Sequence, residues 1–146
     1  MTLTVRPLTA ADEAQWRVLW TGYLDYYETS VPEEVYQSSF ARMLSDQDGE
    51  FHGMVAELDG KLVGLVHYLF HRHGWKIENV CYLQDLYTDP SVRGKSVGRA
   101  LIEATYKAAD EAGAPTVYWL TQDFNEAGRR LYDRVGQLTP FIKYSR

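Results

Sequence analysis

Residues 82 to 102 constrain the chain more than any other stretch. Tyr82-Leu83-Gln84-Asp85-Leu86-Tyr87-Thr88 has strand character and stops at Asp89-Pro90. A short loop follows, Arg93-Gly94-Lys95-Ser96-Val97-Gly98, and an amphipathic pattern starts directly after it, so the loop sits where a strand hands over to a helix N-terminus. The first N–H groups of a helix have no internal partner and lie at the positive end of its dipole, so main chain alone can hold a phosphate or pyrophosphate there. Gly94 and Gly98 carry no Cβ and let the backbone close on such a ligand.

The commoner phosphate loops do not fit. A Walker loop needs Gly, four residues, then Gly-Lys-Ser/Thr, and the Lys95-Ser96 pair lacks the required glycine pair. No Gly-x-Gly-x-x-Gly is present, which removes the dinucleotide fingerprint.

Composition sets outer bounds. With 146 residues the chain is the size of one domain spanning residues 1–146, long enough to bury a core. Its 11 Tyr and 4 Trp point to a globular protein rich in large amphipathic side chains. The net charge of −5 argues against nucleic acid as a general partner, which needs a basic face, and suits an amine substrate better. A single cysteine, Cys81, excludes an internal disulfide and fits a reducing compartment. No secretory h-region and no long apolar run is present, so a soluble cytoplasmic protein without membrane contact is expected.

Taken in order, Leu3-Thr4-Val5-Arg6-Pro7 reads as a short first strand, and Thr9 with Asp12 as a capping start. Trp16, Leu19, Trp20, Tyr23, Leu24 and Tyr27 recur at helical spacing, which predicts the first helix. A second helix runs from about Pro32 to Leu44. Residues 51–58 and 62–70 form a hairpin closed by Asp59-Gly60, the second strand apolar on both faces and therefore central. His67, His71 and His73 lack the carboxylate or thiol that would complete a metal set, and no metal is expected.

The helix after the glycine loop places Val97, Leu101, Ala104 and Ala108 on one face, pairs Glu103 with Lys107, and ends at Gly113 and Pro115. Thr116 to Leu120 is a buried strand, residues 125–136 the last helix, and Gln137 to Tyr144 a final strand that pairs with a neighbouring chain or closes the sheet. The cluster Tyr23, Asp25, Tyr26, Tyr27 and Glu28 reads either as half-buried aromatics with solvated charges or as a pocket wall.

The glycine loop resembles the acetyl-CoA motif Arg/Gln-x-x-Gly-x-Gly/Ala of the GCN5-related N-acetyltransferases: Arg93, Val97 and Gly98 match in place, while Ser96 stands where the motif has glycine. If that position requires positive φ, serine costs on the order of 1–2 kcal/mol more than glycine there. If it only donates its N–H, serine is harmless, and this second reading is the one adopted. Asn125, Gly128, Leu131, Tyr132 and Gly136 resemble a second signature of the family, Asn-x-x-Ala/Gly-x-x-Leu-Tyr-x-x-x-Gly. Trp20 to Pro32 and Tyr82 to Thr88 resemble the subgroup of fungal histone/polyamine and D-amino-acid acetyltransferases and their bacterial relatives.

The resemblance implies an α/β (α+β) fold with a mixed sheet of six to seven strands, a splayed core strand and about four helices. It implies direct acetyl transfer from acetyl-CoA to a primary amine of a small molecule or peptide, polyamine-like or amino-acid-like. Main chain from Arg93, Gly94, Lys95, Ser96, Val97, Gly98 and Arg99 would hold the pyrophosphate; a bulge near Leu86, Tyr87 and Thr88 would expose backbone to the pantetheine arm, with Asn125 nearby. Tyr132 would protonate the departing thiolate.

Polyamine acetyltransferases often carry Glu where this chain has Gln84, and an amide accepts no proton. Asp85 points to the opposite face of a regular strand and serves as base only if the bulge re-aims it. Otherwise a water chain to Glu28 or an already neutral amine is required. Tyr27, Glu28 and Gln84 are the candidate substrate contacts. A covalent route through Cys81 lacks a readable partner, and a buried apolar role is expected instead. A CoA-binding regulatory module that has lost catalysis is the alternative, and a homodimer is compatible with the aromatic surface.

Overall fold

The computed structural model describes residues 2–92 and 94–146, and its element order follows from the local chemistry of the chain. β1 (Leu3–Pro7) leads through one 3-10 turn (Ala10–Asp12) into α1 (Glu13–Tyr26) and α2 (Glu33–Leu44). β2 (His52–Leu58), β3 (Lys61–His71) and β4 (Val80–Thr88) follow, then a second 3-10 turn (Pro90–Val92), α3 (Val97–Glu111), β5 (Val117–Tyr118) and α4 (Glu126–Val135). The strands lie in sequence order. β1 to β4 pair antiparallel, and α3 is the crossover that makes β5 parallel to β4.

The β2–β3 turn needs left-handed backbone at both central positions, and Asp59 (φ 52°) and Gly60 (φ 80°) supply it. α3 ends at Gly113 (φ 73°), whose neighbour Ala114 donates its N–H back to Ala109 C=O at 2.9 Å.

The sheet has a core on each face. α1 and α2 cover one face with Trp16, Leu19, Trp20, Leu24 and Phe40 packed on Val55, Leu62 and Leu65 of the sheet. Val97, Leu101, Ile102 and Ala109 of α3 cover the other face over Ala56, Val66, Tyr68, Cys81 and Leu83, with Leu131, Tyr132 and Val135 of α4 at the margin. Burial raises the Cys81 thiol to about 12, so it stays protonated, as a packing residue does.

Three expectations change. The sheet has five strands, not six to seven: β5 is only two residues long, and residues 137–146 form no strand and lie exposed. Strand propensity in that tail has no neighbouring edge to act on, and a strand exists only by pairing. Glu103 accepts from Arg99 (2.7 Å) rather than from Lys107, an i,i+4 pair one turn earlier than expected.

Arg6 ties the first strand to the sheet and to the start of α1. Its guanidinium donates to both carboxylate oxygens of Asp12 (2.8 and 2.9 Å) and to Glu57 (3.1 Å), while Asp12 also accepts from the Thr9 N–H at 2.8 Å. The Arg6 hydrogen bonds lead the causes that hold the buried Asp12 carboxyl down at about 2, against the opposing effect of burial. A depressed native pKa stabilises the fold above the unfolded value and is lost as pH falls through the native one. Asp12→Asn is therefore expected to cost about 2 kcal/mol in urea unfolding at pH 7, with the gap closing as pH falls toward 2. A gap independent of pH would contradict this origin.

Candidate active site

The site starts from one extra residue in β4. Leu83 pairs with Tyr68 and Asp85 with His67, so Gln84 has no counterpart on β3. A bulge of this kind resets the alternation of side chains. Before it, Cys81 and Leu83 face the α3 core; after it, Asp85 lies beside His67 on the α1 side while Leu86 packs toward the α3 core. The bulge thus re-aims Asp85, toward the α1 side chains, where it is buried and is not among the residues that line the cleft beside β4. In an unbroken strand, Asp85 would share the face of Leu83.

α1 and β3 then surround the Asp85 carboxylate. Trp16 Nε1 donates to His67 Nε2 at 2.9 Å, and His67 Nδ1 lies 2.8 Å from Asp85 Oδ2. An indole nitrogen only donates, so His67 Nε2 must accept, the ring proton sits on Nδ1, and Nδ1–H donates to Asp85. Tyr23 and Trp20 approach the same carboxylate from α1. Among the described residues Trp20 Nε1 is buried with no hydrogen-bond partner.

Burial opposes ionisation of Asp85, but the His67 hydrogen bond, followed by the Tyr23 phenol, outweighs it and holds the carboxyl below its ordinary range. Burial first, and the charge of Asp85 second, push the Tyr23 phenol well up. At neutral pH the centre is therefore a carboxylate facing a phenol.

Tyr23 also opens onto a cleft. Tyr27 joins it from the end of α1, Gln84 and Leu86 come from β4, Trp119 and Leu120 from the end of β5, and Tyr132 from α4. The cleft exists because β4 and β5 part: their pairing is Cys81 with Val117 and Tyr82 with Tyr118, and stops there. Beyond Tyr82 the β4 main chain loses its β5 neighbour, so from Leu83 onward the strand borders the gap on one side while staying paired with β3 on the other. Tyr132 stacks edge-on to Trp119 (5.6 Å between centroids), and burial pushes its phenol up to about 12, so it enters the cleft as a proton donor.

α3 points its start at the same gap. Its first ladder bond is Ala100 N–H to Ser96 C=O (3.0 Å), which leaves the N–H groups of Val97, Gly98 and Arg99 ahead of the ladder. A Cβ at Gly98 would lie 3.3 Å from Leu131 and 3.6 Å from Thr88 Oγ1, so a larger residue fits there only if the Leu131 side chain gives way slightly. Ser96 overturns the reading adopted above, for its φ is 61° and ψ 25°, left-handed backbone. The turn from loop to helix demands that conformation whichever residue occupies it, and serine carries the steric cost.

The structure brings Tyr27, Gln84, Leu86 and Tyr132 into one cleft, with Asp85 behind Tyr23. Tyr87 and Thr88 continue the open strand, though the Tyr87 ring turns to α1, where its hydroxyl sits against Gly22. Gly94, Lys95 and Ser96 are exposed in the loop, Val97 is buried, and Arg99 is engaged by Glu103; Arg93 lies outside the described residues. Asn125 caps α4, accepting from Gly128 N–H (3.2 Å) and donating to Thr121 Oγ1 (3.0 Å). Glu28 is exposed in a left-handed turn and is not among the residues lining the cleft.

The three histidines lie apart in function. His67 serves Asp85, His71 bonds the Tyr118 hydroxyl (2.7 Å), and His73 accepts from Trp75 N–H (3.1 Å). Sequence reasoning missed the roles of Trp16 and His67, which are distant in the chain, and of Trp119 and Leu120, which read only as strand. The i, i+4, i+7 spacing of Trp16, Trp20 and Tyr23 was the available signal.

Residues 16–137 match the acetyltransferase (GNAT) family. The D-amino-acid N-acetyltransferase HPA3 of Saccharomyces cerevisiae is 36% identical over 145 residues, covering 99% of this chain and 90% of the yeast protein. The thialysine N-epsilon-acetyltransferase of Bos taurus is 30% identical over 94 residues, 59% of this chain and 55% of its own. Among solved structures, AAC(6')-Iy in complex with a CoA bisubstrate analogue superposes with a TM-score of 0.87 at 17% identity, covering 100% of this chain and 98% of that one. That likeness is one of fold.

The left-handed Ser96 gives a direct test of the loop. Ser96→Gly is expected to raise stability by up to about 1 kcal/mol in urea unfolding, the relief of left-handed strain less the flexibility glycine adds. A loss of stability would show that the serine side chain holds the turn.

Proposed function

Because the chain belongs to the acetyltransferase (GNAT) family, we propose that it transfers acetyl from acetyl-CoA directly to the primary amine of a small molecule or peptide, polyamine-like or amino-acid-like. The observation that carries this reading is the meeting, in one cleft, of an ionised buried carboxylate relayed by Tyr23 and a protonated Tyr132, beside a strand edge left open by β5. The relatives' acceptors, a D-amino acid in yeast and thialysine in cattle, are both small amines, which supports the acceptor class.

The chain's features fit the donor. N–H groups of Val97, Gly98 and Arg99, with main chain of Gly94, Lys95 and Ser96, suit a pyrophosphate at a helix start. The β4 main chain at Leu86 and Thr88, past the last β5 pairing, suits an extended amide-bearing arm, with Tyr87 between them. When bound, acetyl-CoA supplies an activated acyl carbon and a thiolate leaving group.

The residues then divide the proton work. Tyr27 and Gln84 position the amine at the cleft wall, where the Tyr23 and Tyr27 faces favour a cation. The bound ammonium first loses one proton to solvent. As the neutral amine nitrogen then bonds to the acyl carbon and the carbon–sulfur bond breaks, its next proton passes to the Tyr23 oxygen while the Tyr23 proton passes to Asp85, which releases it to solvent to restore the carboxylate. Tyr132 gives its proton to the sulfur and recovers one from solvent. His67, fixed by Trp16, keeps Asp85 oriented throughout. A cytoplasmic location and a homodimeric state belong to the same proposal.

Asp85→Asn and Tyr23→Phe are each expected to lower turnover about 100-fold or more. Thermal stabilisation by acetyl-CoA should persist in both. Unchanged turnover would remove the relay. Tyr132→Phe should also lower turnover with donor affinity nearly intact, and an unaltered rate would exclude it as the acid. Tight donor binding by the wild type with no turnover on any amine would favour a binding module instead.

A further inference from the structure

Two aromatic pairs wall the cleft. On the α1 side Tyr23 and Tyr27 have ring centroids 5.1 Å apart, and on the α4 side Trp119 and Tyr132 have theirs 5.6 Å apart, the rings of each pair steeply inclined to one another. Tyr26, next to Tyr27, reaches from the end of α1 to Asn125 at the head of α4, where its hydroxyl lies 3.4 Å from Oδ1. The walls are thus bridged, and a molecule between them meets ring faces and edges. The polar groups of the lining are the tyrosine hydroxyls, the Trp119 indole and the Gln84 amide, none of which is charged at neutral pH.

Charged groups stand outside this lining. Arg17 is bound by Glu13 and Glu33, Arg72 by the Ile77 carbonyl, Arg99 by Glu103 and Arg129 by the Asp123 carbonyl. Behind Tyr23 the buried Asp85 is ionised, and His67 and Tyr23 take up its oxygens. Asp25 and Glu28, at the same end of α1, are exposed and outside the lining. A carboxylate entering the cleft would lose its water, meet no cation in the lining and feel the repulsion of Asp85, and every one of these effects opposes binding. A second ammonium meets no carboxylate in the lining. The reacting ammonium differs from both, because acetylation removes its charge.

We propose that the acceptor carries one charge only, that of the reacting ammonium, on an aromatic or aliphatic frame whose carboxyl group is missing or masked as an amide. The proposal rests on the acetyl-transfer reading for what enters the cleft, and it narrows the amino-acid-like acceptor of that reading. A single ring on the frame packs edge to face against the two aromatic pairs. Gln84 offers a donor and an acceptor to a masking amide, and neither requires a charge on the ligand. Discrimination comes from the cost of an uncompensated carboxylate.

Calorimetric titration of the full chain with CoA present tests this at about pH 6, where the amino group of every probe is an ammonium ion. Phenethylamine and phenylalaninamide should bind about 30-fold or more tightly than either enantiomer of phenylalanine, and pentylamine more tightly than cadaverine. Leu120 lines the cleft and is 51% exposed, so Leu120→Arg sets a cation at its mouth. That substitution should shift the ratio of phenylalanine to phenethylamine affinity about 10-fold or more toward phenylalanine. Phenylalanine bound as tightly as phenethylamine overturns the proposal, as does a phenethylamine that does not bind. Weak binding shared by phenylalaninamide also overturns it, since bulk and not charge would then discriminate, and so do tighter binding of cadaverine and a ratio unmoved by Leu120→Arg. Selective binding with no acetyl transfer to any amine removes the transfer reading and leaves the charge rule standing, so the two failures are separate results.

Discussion

One residue too many in β4 organises the candidate site. Gln84 has no partner on β3, and the alternation of the strand slips by one at that point. Asp85 consequently moves from the face of the α3 core to the face of α1. Pairing with β5 ends two residues before Gln84, and the strands separate. A buried acid and an open strand edge thus occur together, which is what transfer from an extended donor to an amine requires.

A buried carboxylate would be costly without partners. α1 supplies most of them from a single stripe, since Trp16, Trp20 and Tyr23 follow one another at helical spacing, and β3 supplies His67. The stacking of Trp16 on Trp20 (5.2 Å) locks that stripe. The same side chains therefore form the core under α1 and the electrostatic setting of Asp85. Packing and chemistry cannot be varied independently here. A change at Trp16 frees the His67 tautomer as well as opening a cavity.

The parts of this arrangement that depend on local chemistry were readable from the chain. Asp59-Gly60 had to form a tight hairpin, Gly113 with Pro115 had to stop α3, and the glycine loop had to sit ahead of a helix. The acid's orientation was readable only as a condition, because a bulge is a property of two strands in register and not of the residues Gln84 and Asp85. Trp16 and His67 lie 51 residues apart, so nothing local announces their bond. Ser96 misled for a different reason: a serine argues against left-handed backbone on propensity, and the loop's closure onto α3 prevailed. In the tail, Phe141 and Ile142 have strand character, but a single chain offers them no edge.

The central claim is that main chain at the start of α3 and along β4 beyond the bulge holds acetyl-CoA. Amide hydrogen exchange of the full chain, with and without the donor, tests it most directly. The account predicts slower exchange at residues 86–88 and 94–100 when acetyl-CoA is present, with the surface by Tyr106 and Val117 unaffected. Unchanged exchange in both segments, or protection confined to another part of the surface, would contradict it.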